Sequence, residues 1–351
     1  MKEVFIIAVI VMIYIVIFQI AKASEYVSVL KGEDKTRKQT NKINGFLLVA
    51  FLVFGLIGVY VCNEWFFKKT LFPQGSASIE GEQIDFMLYL TIGVTGVIFI
   101  ITQVLLFWFA FKYQEKEGKK AFFFAHNTKL ELLWTTVPAI FLTVLVVFGL
   151  INWFKMTGNP PDNAIVVEIT GHQFAWEMRY PGKDGILGKK DYKKYNTPSG
   201  NILGVDFEDV NSLDDLHTNE MHLPVGTPVK LVINAMDVIH DVGLNHFRMK
   251  MDAVPGIPTT LWFTPKHTTK KMKEITNNQN FVYEISCDQM CGAGHFSMRG
   301  IIVVETLGEY KAWLASQKPE YFTLFNKAPT GVPDTLAAKS TVTVALTDVK
   351  K

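Results

Sequence analysis

Four runs of apolar residues without a single Asp, Glu, Lys, Arg or His constrain this chain more than any other feature. They cover Val4–Ala21, Phe46–Cys62, Phe86–Phe111 and Leu133–Asn152. A spanning helix needs about 20 mostly apolar residues, and a buried helix of a soluble protein seldom runs that far without a charge. Each run is therefore expected to cross a bilayer, which excludes a wholly soluble enzyme. The expected division is a membrane anchor over 1–154, a soluble domain over 155–316 and a tail over 317–351.

The first run needs a second argument, because Ala21-Lys22-Ala23 mimics a signal-peptidase site. Loop charge supplies it. Segment 22–45 holds Lys22, Lys31, Lys35, Arg37, Lys38 and Lys42, and segment 112–132 holds Lys112, Lys116, Lys119, Lys120 and Lys129. Between them, 63–85 has only Lys68 and Lys69 against Glu64, Glu80, Glu82 and Asp85. The positive-inside rule puts the first and third loops in the cytoplasm. Four spans then place both termini outside, whereas cleavage after the first would strand the soluble domain in the cytoplasm. The first run is expected to be a retained helix.

With no histidine in any span, the chain offers no imidazole to a haem or copper inside the bilayer. His126, in a cytoplasmic loop, reads as solvated. A formal charge of +2 gives no case for nucleic acid. Three cysteines, Cys62, Cys287 and Cys291, are too few for a disulfide scaffold.

Beyond Asn152 the pattern changes to short β-rich runs at 164–170, 229–234, 281–286 and 300–305, bounded by Gly, Pro, Asn and Asp. They predict a β-sandwich. A polar stretch at 183–215 reads as a surface insertion, and its bunched acids Asp206, Glu208, Asp209, Asp214 and Asp215 make it a candidate acidic docking face. A short helix is expected over 308–316. The Thr/Ala-rich end, 327–351, has no core pattern.

The densest chemistry is Cys287-Asp-Gln-Met-Cys291-Gly-Ala-Gly-His295-Phe-Ser-Met298, placed between two expected strands. Two thiols, an imidazole and a thioether make a soft donor set that favours copper over hard cations. The second histidine is expected at His240, directly after a strand. Zinc would want paired Cys motifs and no Met, and a Cys287–Cys291 disulfide is the plainest alternative. Two bridging thiolates can hold two copper ions that share one oxidising equivalent, which describes a relay and not a catalytic centre.

Cys-x₃-Cys-x₃-His-x₂-Met with an upstream His resembles the binuclear CuA site of cytochrome c oxidase subunit II. Other stretches agree: Gly171-His172-Gln173-Phe174-Ala175-Trp176, the segment from Asp237-Val-Ile-His240 to Lys250-Met-Asp252-Ala-Val-Pro255-Gly256, and Glu131-Leu-Leu-Trp134-Thr135-Thr-Val-Pro138. The resemblance covers residues 86–316. It implies a cupredoxin-like Greek-key sandwich on transmembrane helices, with haems and CuB on a partner subunit I. The chain would then pass electrons from a c-type cytochrome toward oxygen reduction coupled to proton pumping, at a bacterial inner membrane with the C-terminal domain on the periplasmic side.

By the same resemblance the copper ligands are His240, Cys287, Cys291, His295, Met298 and the backbone carbonyl of Gln289. Many relatives carry Glu at that last position, where it also reaches a magnesium; uncharged Gln289 lacks that ligand. Glu131 falls where the family places an acid at the mouth of a proton pathway, although a helix-start Glu also favours the helix dipole. Phe174 and Trp176 fall at the aromatics through which electrons arrive, with Phe174 at a position usually held by Trp.

Val4–Ala21 and Phe46–Cys62 exceed the family's usual two spans and are expected to pack against another oxidase subunit. No Cys-x-x-Cys-His is present, so the donor is a separate protein. Residues 155–351 hold 21 basic and 22 acidic residues, too balanced for long-range steering. A dedicated donor in a larger respiratory assembly is therefore expected. Alternatives of another class are a copper-delivery membrane protein and a CuA-type nitric oxide reductase chain.

Overall fold

The computed structural model of the protein describes residues 2–116, 118–120 and 122–326. The chain divides into two compact units. One takes in the residues up to Lys69 together with Leu90–Ala139; the other takes in Thr70–Tyr89 and the chain from Ile140 onward.

Each apolar run lies within a long helix: α1 Lys2–Lys31, α2 Glu33–Phe66, α3 Ile79–Lys112 and α4 Thr128–Thr157. All four are long and apolar enough to cross a membrane. Gly32, at φ 84°, separates α1 from α2; no L side chain adopts that backbone without strain. The start of α4 is set by a reciprocal pair. Asn127 Oδ1 accepts from the Leu130 N–H at 3.1 Å, and Glu131 Oε1 accepts from the Asn127 N–H at 3.2 Å.

In the second unit, the first turn of α3 is tied to the β-domain. Ser78 Oγ caps the helix by accepting from the Gly81 N–H at 2.9 Å and donates to the Phe247 carbonyl at 2.7 Å. Glu80 accepts from the Thr264 N–H at 2.8 Å, and Asp85 takes the Arg248 guanidinium at 2.6 Å. Acids here favour the positive end of the helix dipole as well. At the end of α4, the Lys155 carbonyl accepts from the Trp262 indole at 2.7 Å.

The soluble domain is a two-sheet sandwich. Its strands are β1 Ile165–His172, β2 Ala175–Tyr180, β3 Leu216–Thr218, β4 Glu220–Pro224, β5 Val229–Ala235, β6 His240–Leu244, β7 Met249–Ala253, β8 Thr259–Phe263, β9 Tyr283–Cys287 and β10 Arg299–Glu305. One sheet runs β3-β2-β1-β5-β8 and the other β4-β10-β9-β6-β7. Two pairs are parallel, β1 with β5 and β4 with β10; the rest are antiparallel. The four expected strands are β1, β5, β9 and β10; the other six were not visible as runs. Val167, Ile169, Leu231, Ile233, Leu244, Ile285 and Ile302 fill the space between the sheets.

Three short helices complete the domain: α5 Thr269–Ile275, α6 Leu307–Ser316 and α7 Glu320–Phe325. The expected helix at 308–316 is α6, which opens on a Thr306/Glu309 capping box. The residues from 327 on, including most of the expected tail, lie outside the described ones.

Segment 183–215 has a small core of its own. It buries Leu203, Val205 and Leu213 and lies over the outer face of the first sheet. Arg179, on β2, donates to Glu168 at 2.6 Å, to Asp215 at 2.8 Å and to the Gly188 carbonyl at 2.9 Å. Lys190 reaches the second oxygen of Glu168 at 2.8 Å. The bunched acids serve the segment's own folding. Asp206 pairs with Lys194, Asp209 caps the turn at 210–212, and Asp214 accepts from the N–H groups of Lys183 and Asp184. Asp215 is fully buried, and only Glu208 keeps an open side chain.

Candidate metal centre

The soft donors meet at one end of the sandwich. Strand order makes this happen: β6 begins with His240, β9 ends with Cys287, and the two strands are neighbours, with Val242 opposite Cys287. The loop after β9 then folds back, and a single 3₁₀ turn over 295–297 returns His295 and Met298 to the start of β10. Cys287 Sγ lies 3.8 Å from His240 Nδ1, 3.8 Å from Cys291 Sγ and 3.2 Å from the Gln289 carbonyl. Cys291 Sγ lies 3.6 Å from His295 Nδ1 and 3.9 Å from Met298 Sδ.

Both cysteines are free thiols, so the disulfide alternative is not what the fold builds. His240, Cys287, Cys291 and Met298 are buried, while His295 is half-buried. Burial and the neighbouring Cys287 thiol push Cys291 up to about 11, so a metal bound here must displace protons. Among the described residues, His240, Cys287 and Cys291 form the one His/Cys/Asp/Glu group whose ligand atoms converge tightly enough to hold an ion.

A further layer of residues orients these donors. Asp237 Oδ1 pairs with His240 Nε2 at 2.8 Å, which leaves Nδ1 turned toward the thiols. Burial works against charge on Asp237, but hydrogen bonds from His240, Gln173 and Val238 outweigh it and hold the carboxyl below its usual range. The Gln173 N–H donates to Asp237 at 2.8 Å, and the Gln173 side chain donates to the Cys291 carbonyl at 2.5 Å. Sequence reasoning quoted both residues without giving them a task. An acid three residues before a candidate histidine was the available signal.

The two aromatics separate. Trp176 is 3% exposed, with its ring edge-on to His240 at 5.9 Å between centroids. Gly171 makes room for this, since a Cβ there would lie 2.8 Å from the indole and 3.2 Å from the imidazole. Phe174 is 37% exposed and covers the loop, with its ring 2.5 Å from where a Cβ on Gly294 would stand. The two aromatics thus differ in setting: Trp176 is a core residue of the site, and Phe174 is part-open. Met290 and Phe296, on the same loop, are strongly exposed. The Gln289 side chain is also exposed, and Glu131 belongs to the other unit, in the first turn of α4 with its side chain half-open.

Residues 165–307 match the family described as cytochrome c oxidase subunit II, periplasmic domain, and residues 63–151 match its transmembrane domain. The alternative cytochrome c oxidase subunit 2 of Bradyrhizobium diazoefficiens is 32% identical over 276 residues, covering 78% of this chain and 91% of that protein. The chain belongs to the cytochrome c oxidase subunit II family. It is thus one subunit of an oxidoreductase complex. Cytochrome c oxidase subunit 2 of Cereibacter sphaeroides is 27% identical, covering 73% of this chain and 83% of its own. Among solved structures, the periplasmic domain of subunit II of the Bradyrhizobium japonicum cytochrome oxidase aligns at 26% identity and a TM-score of 0.30, over 44% of this chain and 94% of that one. The transmembrane match takes in α3 and most of α4. It leaves α1 and nearly all of α2 outside, as a departure from a two-span anchor implies.

Proposed function

We propose that this subunit receives electrons from a c-type cytochrome and passes them to the haem of a partner subunit I, where oxygen is reduced to water with proton pumping. The observation that carries this reading is the convergence of His240, Cys287 and Cys291 in a buried, soft-donor pocket. The donor set fits copper: two thiols, two imidazole Nδ1 atoms, a thioether and a carbonyl within contact of one another. Two copper ions bridged by the thiolates would supply a one-electron carrier whose charge is shared.

The chain's own residues hold that centre still. Asp237 fixes the His240 ring, Gln173 pins the loop through the Cys291 carbonyl, and Trp176 closes the inner side against water. A rigid, dry setting limits the rearrangement that accompanies each change of charge. Phe174, Met290 and Phe296 present an apolar face to the donor. On this reading residues 1–154 anchor the copper domain in a bacterial inner membrane with that domain periplasmic, and α1 and α2 pack against further oxidase subunits. Glu131 lies at the mouth of a proton pathway on the cytoplasmic side. Gln289 gives no charged ligand to a magnesium.

Electron paramagnetic resonance of the copper-loaded full-length subunit tests the centre. Hyperfine coupling to two equivalent copper nuclei is expected; a mononuclear spectrum would exclude the assignment. For Glu131→Gln, oxidase turnover should slow several-fold with that spectrum intact. Unchanged turnover would return Glu131 to its helix-start role.

A further inference from the structure

Residues 113–127 join α3 to α4, and those described form neither helix nor strand. Both ends of this loop lie close to the membrane surface, because one apolar run ends at Phe111 and the next begins at Leu133. Its middle is nonetheless apolar. Phe122, Phe123 and Phe124 follow one another and are 88%, 89% and 61% exposed. The rings of Phe122 and Phe124 stack at 6.0 Å between centroids, and none of the three joins the buried core. Three adjacent phenyl rings left in water forgo the largest favourable contribution open to them, the removal of apolar surface from solvent.

The charge around the triplet has one sign. Lys116, Lys119 and Lys120 are exposed, as are Lys112 and Lys129 at the flanking helix ends. Glu115, the described acid of the loop, is taken by Arg37 at 3.5 Å. Aromatic rings beside lysines at the end of a spanning helix answer both attractions of a membrane interface: apolar insertion below the headgroups, and the negative surface of anionic lipid. A groove on another protein suits the triplet less well. Successive side chains of an extended segment point to opposite sides, so a groove that took Phe122 and Phe124 would leave Phe123 outside. A lipid interface surrounds whatever enters it and accepts all three.

We propose that this loop docks on the cytoplasmic leaflet, with Phe122, Phe123 and Phe124 among the upper acyl chains and Lys116, Lys119 and Lys120 against anionic phospholipid headgroups. Since the loop leads directly into the Asn127 cap, the contact sets the level at which α4 enters the bilayer. It needs only the spans, and stands whether or not copper fills the soft-donor pocket.

The test places the photoreactive analogue p-benzoyl-phenylalanine in place of Phe122 or Phe123 in the full-length subunit. The assembled oxidase is then reconstituted in vesicles of phosphatidylcholine and phosphatidylglycerol. Both positions are exposed, so the fold should survive, and co-purification with the partner subunits verifies it. Mass spectrometry of the irradiated subunit is expected to find lipid adducts, with phosphatidylglycerol several-fold above its share of the vesicle lipid. Combining Lys116→Gln, Lys119→Gln and Lys120→Gln should return that ratio to the bulk composition while lipid adducts persist. Adducts confined to another subunit, or no lipid adduct at either position, would overturn the proposal. A wild-type ratio equal to the bulk composition would overturn the anionic assignment.

Discussion

Two excursions leave the sandwich, 288–298 between β9 and β10, and 183–215 between β2 and β3. Both are turn-rich and carry polar side chains, yet they do opposite things. The short one brings donors to a point and leaves them without a counter-charge: two thiols, an imidazole and a thioether face one another at 3.6–3.9 Å. The long one gives each of its acids a partner, among them Arg179, Lys194 and its own backbone. Converging donors that nothing in the chain satisfies mark a site. Converging charges that satisfy each other mark a fold.

That contrast breaks most visibly at Cys291. Cys291→Ser should abolish the two-copper spectrum entirely, since one bridge does not keep two ions coupled, while the protein still folds. Retention of the binuclear signal would sink the ligand assignment. The corresponding change in the other excursion is Arg179→Met, which leaves Glu168 and Asp215 buried without their shared partner. It should cost about 3–5 kcal/mol, read by denaturant unfolding of the detergent-solubilised subunit through its tryptophan fluorescence. The copper spectrum of the remaining folded fraction should be unchanged. A loss below 1 kcal/mol would mean the network is solvated and contributes little to the fold.

The smallest effect is expected at Glu208, the acid in 206–215 with an open side chain. Because its neighbours are consumed internally, Glu208→Gln should alter donor oxidation by less than about twofold, with little dependence on salt. Fast, strongly salt-sensitive oxidation of a diffusing cytochrome c would restore an electrostatic docking face and count against an apolar contact around Phe174.

How much was legible beforehand follows from the range of each interaction. The four spans needed no tertiary information, because a bilayer tests mean apolarity over about 20 residues in sequence. The loop from Cys287 to Met298 was legible for a similar reason: four donors within twelve residues stay near one another in almost any compact fold. His240, 47 residues away from Cys287, could be named only from its place after a strand and from the family's motif. It is the adjacency of β6 and β9 that delivers it.

Trp176 and Phe174 look alike in sequence and differ by two positions. One sits on a core-facing site of β2, and the other on the turn before it. The acids of 206–215 read as a cluster, but burial and partners are properties of the sheet they cover. Composition acts locally along the chain. Charge pairing acts through space, and only the tertiary structure says which charges become neighbours.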